Sequence, residues 1–247
     1  MISKNQLKLI HSLEQKKQRK KLGLFLVQGE KNVNELFISD FEIVNIFATA
    51  AYINKNAKLL SDNQLTSLVI ESSDEELKKA GTLQNNNSVI AVAKCKTYSL
   101  PPAEKDGLIL VLDQVGDPGN LGTIIRVADW YGIKHLVCSP DCADIYNPKV
   151  IAATMGSFSR VQVSHTDLHE YLKSQEKPIF GAFLEGKNIH HSQLPSNALI
   201  VMGSESHGIS DVVAKLVTDK ITIPNFGQAE SLNVAMATGI ILDNFKR

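Results

Sequence analysis

"LILVLDQVGDPGNLGTIIRVADWYGI", Leu108 to Ile133, decides the fold. It opens on a run that is apolar at every position and stops at Asp113. A strand apolar on both faces must be covered on both faces, which is the pattern of a parallel sheet between helical layers. Beyond Asp113, Gly116, Asp117, Pro118 and Gly119 make a turn, Asn120 occupies an N-cap position, and a helical stretch of Leu, Ile, Val and Ala follows. The alternation then continues. "HLVCS", "SRVQVS", "PIFGAFLEG", "ALIVMG" and "KITIPN" read as strands. "NPKVIAATMG", "DLHEYLKSQ", "ISDVVAKLV" and "SLNVAMATGIILDNF" read as helices. The class is α/β, a mostly parallel sheet flanked by helices. In such sheets ligands bind beyond the carboxyl ends of the strands, so the segments that follow strands are the candidate site.

Three of those segments carry chemistry. In the first, Arg126 lies in an otherwise apolar helix six residues after Asn120. Burying it alone is costly, so it either pairs with a carboxylate or faces a site and meets a phosphate or a developing negative charge. In the second, "ALIVMGSESHGIS", Met202 and Gly203 follow a strand directly and Glu205 is an acid at the sheet edge. Gly203 permits close backbone approach to a ligand; an N-capping turn for the next helix is the other reading. The third, "IPNFGQAESLNVAMATGI", ends a strand at Ile223-Pro224, bends at Gly227, and places Ser231 and Asn233 at a helix start. Alone, Ser231 reads as a cap. No G-x-G-x-x-G, P-loop or G-x-S-x-G stretch is present.

The region before Gly107 is a second, smaller α/β unit. Leu7, Ile10 and Leu13 give helical spacing over Lys4–Lys21. That helix ends in Lys16, Lys17, Arg19, Lys20 and Lys21, a charge run that suits a helix C-terminus or a phosphate-contacting patch. "LGLFLVQG" and "FEIVNIFAT" read as strands around the short helix "EKNVNELF". "SSDEELKKAG" is a helix with a capping box, Ser73 with Glu76, and a stop at Gly81. "QNNNSVIAVAKC" is a polar turn feeding a strand. The expected division is 1–96, a linker at 97–106 with two prolines, and 107–247.

The chain has 247 residues, 43% hydrophobic and 21% charged, with zero formal net charge. That composition belongs to a globular protein with a sizeable core. Residues 1–100 hold 14 basic and 10 acidic side chains, leaving 12 and 16 for the rest, a lean toward a polyanion in the first half. Cys95, Cys138 and Cys142 lack partners at ligand spacing, so buried free thiols in a reducing cytosol are expected rather than a metal. No signal peptide or membrane-length apolar run is present, and a cytoplasmic protein is expected.

"NLGTIIRVADWYGI", "VMGSESHGIS" and "IPNFGQAESLNVAMATGI" closely resemble the three signature motifs of SpoU-type (TrmH-like) RNA ribose 2′-O-methyltransferases of the SPOUT class. "NPKVIAATMGSFSRVQV" resembles the family's segment between the first two motifs, and "GLFLVQGEKNVNEL" its RNA-binding domain. Ala235 and Ala152 stand where the family often has Ser and Arg. The resemblance implies a C-terminal trefoil knot, a homodimer that completes the site, and S-adenosylmethionine held by Met202, Gly203, Ile223, Pro224 and Leu232. It implies catalytic roles for Asn120, Arg126, Glu205, Ser231 and Asn233; the RNA-binding patch expected at Lys16, Lys17, Arg19, Lys20 and Lys21 rests on the charge run, and the expectation of no metal on the cysteine spacing. Methyl transfer to a ribose 2′-hydroxyl of ribosomal RNA follows as the expected activity. A transfer-RNA enzyme or a non-catalytic RNA-binding protein of the same fold are the alternatives.

Overall fold

A computed structural model describes residues 1–83, 88–103 and 106–247. The polar turn expected at 84–87 and the linker positions 104–105 lie outside the described residues. The chain runs α1 (Lys4–Ser12), α2 (Lys16–Leu22), β1 (Leu24–Gln28), α3 (Glu30–Phe37), β2 (Ile43–Ala48), α4 (Ala50–Lys55), α5 (Ala57–Asp62), β3 (Val69–Glu71), α6 (Asp74–Ala80) and β4 (Val89–Lys94). There follow β5 (Leu108–Leu112), α7 (Pro118–Trp130), β6 (His135–Cys138), α8 (Pro148–Thr154), β7 (Gln162–His165), α9 (Leu168–Lys173) and β8 (Ile179–Asn188). The chain ends with β9 (Ala198–Met202), α10 (Asp211–Ala214), β10 (Asp219–Thr222) and α11 (Val234–Lys246). Two compact units result, Met1–Lys96 with Asp144–Arg160, and Thr97–Ala143 with Val161–Arg247.

The first unit is built on a four-stranded sheet of order β1-β4-β2-β3. Only the β2–β3 pair is parallel. Successive side chains leave a strand on opposite faces, and here both faces are dry. Phe25, Val27, Ile46, Ala48, Val89 and Ala91 enter one core cluster. Their neighbours Leu26, Phe47, Ile90 and Val92 enter another with Ile10 and Leu13 near α1 and Leu77 and Ala80 of α6. Each fully buried Leu, Phe or Ile contributes roughly 1.5–3 kcal/mol. The capping box of Ser73 and Glu76 forms as the sequence requires. Gly81 ends α6 in an extended conformation, and a Cβ there would lie 2.7 Å from Gln28 Oε1, so any larger residue must displace the Gln28 amide.

Two expectations change. The continuous helix over Lys4–Lys21 is two helices, because Gln15 turns extended between α1 and α2. Arg19 stabilises that break by donating from Nη1 to the Leu13 and Glu14 carbonyls, both at 2.8 Å. Residues 144–160, expected within 107–247, pack instead with the first unit. Ile151 and Phe158 complete the cluster around Phe25, and Asp144 takes the Arg19 guanidinium at 2.6 Å.

The second unit holds six strands in the order β10-β8-β9-β5-β6-β7, and every pair is parallel. Ile109, Val111, Val137, Leu199 and Val201 pack on one face against Leu168, Tyr171 and Leu172 of α9 and Val213 of α10. Helices α7 and α11 pack together, with Leu121, Ile124 and Ile125 of one and Ile241 and Leu242 of the other fully or nearly fully buried. The register between β8 and β10 jumps, from Lys220 opposite Gly181 to Ile221 opposite Lys187. The intervening bulge brings Gly186 against the Lys220 carbonyl, where a Cβ would sit 2.8 Å away.

Candidate active site

Strands β5 and β9 are neighbours, so the loops leaving their carboxyl ends are neighbours too. After β5, Asp117 caps α7 by accepting from the Asn120 amide at 2.8 Å, with Pro118 in the first turn. Asn120 is therefore inside the helix rather than its cap, a correction to the sequence reading that frees its side chain. After β9, Ser204 and Gly208 exchange backbone hydrogen bonds of 3.1 and 2.9 Å, making a tight hairpin with Glu205 in it. Gly203 lies under that hairpin. A Cβ there would fall 2.1 Å from the Gly208 carbonyl carbon and 2.3 Å from the Ile209 nitrogen.

After β10 the chain runs irregularly until Asn233, whose Oδ1 accepts from the amides of Ala235 at 3.0 Å and Met236 at 3.3 Å and so caps α11. Ser231, expected as the possible cap, is exposed and sits before the helix. Asn233 Nδ2 then donates to Asn120 Oδ1 at 2.9 Å. Asn120 Nδ2 in turn donates to a carboxylate oxygen of Glu205. One side chain thus joins the three loops. Within the last loop, Asn225 accepts from Gly227 and donates to the Ala229 carbonyl, both at 2.8 Å, a brace that leaves Phe226 93% exposed.

Of the other candidates, Met202 is buried, Gly203, Ile223 and Pro224 are half-buried, and Leu232 is 48% exposed. Arg126 is exposed and has no ion-pair partner among the described residues, so the buried pair considered from the sequence is not formed. It shares the outer face of α7 with Thr123 and Trp130 and is not drawn into the Asn120 cluster. Lys16, Lys17, Lys20 and Lys21 are exposed. Arg19 is a correction. It is 2% exposed and spends its donors on Asp144, Leu13 and Glu14, so it offers nothing to a phosphate. Among the described residues no group of acidic, His or Cys side chains could hold a metal ion.

Two neighbours of the site escaped the sequence reading. Asp113 is 2% exposed and accepts from the Ser210 amide at 2.8 Å. The signal was an acid closing an apolar strand, which reads equally as a loop start. The bulge of β8 also approaches the third loop, since Thr222 Oγ1 donates to the Leu184 carbonyl at 3.0 Å. Beside the first loop, Cys138 and Cys142 are buried. Their shared hydrogen bond pulls the Cys142 thiol down to about 7 against the opposing effect of burial, and pushes Cys138 up.

A parallel sheet whose carboxyl edge carries polar loops cross-linked by side chains is the architecture of an α/β ligand-binding domain. The chain belongs to the SpoU rRNA methylase family, whose model matches residues 107–243. Residues 4–91 match an MRM3-like substrate binding domain. A 23S rRNA guanosine 2′-O-methyltransferase from Bacillus subtilis is 28% identical, over 93% of this chain and 91% of its own length. Among solved structures, a TrmH-family protein from Porphyromonas gingivalis superposes with a TM-score of 0.85 at 35% identity, covering 99% of this chain and 98% of its own. An AdoMet-bound rRNA methyltransferase from Sinorhizobium meliloti gives 0.86 at 25% identity, over 100% and 96%.

Proposed function

We propose that this protein transfers a methyl group from S-adenosylmethionine to a ribose 2′-hydroxyl of ribosomal RNA. The observation that carries the reading is Asn120 bridging Glu205 and Asn233, which locks the three motif loops into one surface at the strand ends. The residues suit the cofactor. Half-buried Ile223 and Pro224 and half-exposed Leu232 supply apolar surface for a nucleoside, and the loop between them supplies polar groups. When bound, S-adenosylmethionine provides an electrophilic methyl on a sulfonium.

The chain's own residues have two tasks, to hold the ribose and to stabilise charge on its 2′-oxygen while an O–C bond replaces the S–C bond and the hydroxyl proton passes to water. Glu205 accepts from Asn120 and thereby orients it, while Asn233 is oriented by capping α11. Ser231, exposed just ahead of Asn233, meets the ribose. A guanidinium is a fixed cation and a poor proton acceptor, so Arg126 acts as an electrostatic partner of the alkoxide and the neighbouring phosphate rather than as a base. Its outward position suits a site completed by a second copy. Exposed Trp130 on α7 and Met236 on α11, 84% and 63% accessible, offer apolar surface for that homodimer. The same reading carries a C-terminal trefoil knot, on the motif resemblance alone.

The lysines of α2 in the first unit contact the RNA backbone. A cytoplasmic location accompanies a ribosomal substrate, and no helix among the described residues is long and apolar enough to cross a membrane. The test is methylation of ribosomal and transfer RNA with labelled S-adenosylmethionine, followed by mapping of 2′-O-methyl positions. Label on transfer RNA alone redirects the substrate. Absence of cofactor binding by calorimetry favours a non-catalytic RNA-binding protein.

A further inference from the structure

The hairpin that carries Glu205 is held at its two ends by different means. Its incoming limb is fixed by the sheet, with Met202 in register with Leu112 and the Asp113 amide donating to the Met202 carbonyl at 2.9 Å. Its outgoing limb lies outside the sheet, and just after Gly208 the Asp113 carboxyl group receives the Ser210 amide at 2.8 Å. Asp113 is 2% exposed, so this bond forms away from water, where a hydrogen bond is worth more than at the surface. Asp113 and Asn120 also bracket one loop. That loop therefore grips the hairpin twice, at Ser210 through Asp113 and at Glu205 through Asn120.

We propose that Asp113 is a positioning residue that sets the place of Glu205 in the site. The inference rests on the methyltransferase reading above. Because Met202 and Gly203 stay anchored by β9, loss of Asp113 loosens the Glu205 end and leaves the incoming limb in place. The consequence is a split. Turnover falls while the KM for S-adenosylmethionine holds.

The test uses the full chain with Asp113→Ala, Asp113→Asn, Glu205→Ala and the double variant. In Asp113→Ala, kcat should fall about 100-fold, as expected for a displacement near 1 Å, with the KM for S-adenosylmethionine changed less than about threefold. Asp113→Asn, whose amide oxygen still accepts from Ser210, should recover part of the loss. The double variant should be no slower than the worse single variant, since both act through one group. Hydrogen exchange over residues 204–210 reads the tether without any turnover and should speed up in Asp113→Ala. If wild-type protein proves inactive on RNA, the methyltransferase reading falls while exchange still judges the tether. Unchanged exchange, additive losses, or a rise in KM at constant kcat would each overturn the assignment. Should Asp113→Ala fail to fold, the same comparisons are made on Ser210→Pro, which removes the donating N–H at a residue whose φ is already −60°.

Discussion

Asn233 uses both halves of its amide, its oxygen capping α11 and its nitrogen donating to Asn120 Oδ1 at 2.9 Å. A helix cap and a site contact are thus the same residue. The two roles separate by substitution. Asn233→Ser keeps a capping oxygen but loses the second arm, so stability should hold within a few tenths of a kcal/mol. Turnover should fall about 100-fold for one lost site contact. Asn233→Ala should lose the same activity and about 1 kcal/mol of stability in addition. Thermal melts beside steady-state kinetics separate the variants, and equal melting points would refute the cap.

Gly203→Ala places a carbon 2.1 Å from the backbone of Gly208. No rotamer relieves a clash with main chain, so the hairpin must open. Affinity for S-adenosylmethionine, measured by calorimetry, should fall by at least about tenfold, the factor that goes with 1.4 kcal/mol. Retention of wild-type affinity would remove Gly203 from the pocket.

Arg19→Ala strands Asp144 and two helix-end carbonyls. Removing one partner of a buried pair costs about 3–5 kcal/mol. Urea unfolding should show that loss, whereas Lys17→Ala, on an exposed cation of the same helix, should change stability by less than about 0.5 kcal/mol.

Glu35 lies between Lys31 and Arg160. Burial raises its carboxyl, but the hydrogen bonds and charges of those two cations outweigh it and hold the group below the usual value. Its contribution to stability is therefore complete above the unfolded-state value, about 4.3, and disappears as pH drops through the lower folded value. Wild type should exceed Glu35→Gln in melting temperature by a constant margin from pH 5 to 7, and the margin should shrink toward pH 3. A margin that persists in acid would assign the effect to shape rather than charge.

The parallel sheet was legible because β5 and β9 are apolar on both faces and too short to be helices. The three loops were legible from where those strands stop. The side-chain geometry was not. Whether Asn120 caps α7 or sits one turn inside depends on Asp117 taking the cap first, and both residues are good caps. Arg19 looked like one cation among five. Only the return of Asp144, 125 positions later in sequence, makes it a core residue. Residues 50–71 fold into α4, α5 and β3, segments of three to six residues too brief for periodicity to declare.

That returning segment has a consequence for synthesis. All four strands of the first sheet have left the ribosome once Lys94 emerges, yet the face around Phe25 and Phe41 stays uncovered until Phe158 follows. Translation must first deliver β5, α7 and β6, which belong to the other unit. The amino-terminal sheet thus waits half-clothed while its neighbour begins to form, and a product released at Lys96 keeps that greasy face open to chaperones and to other nascent chains.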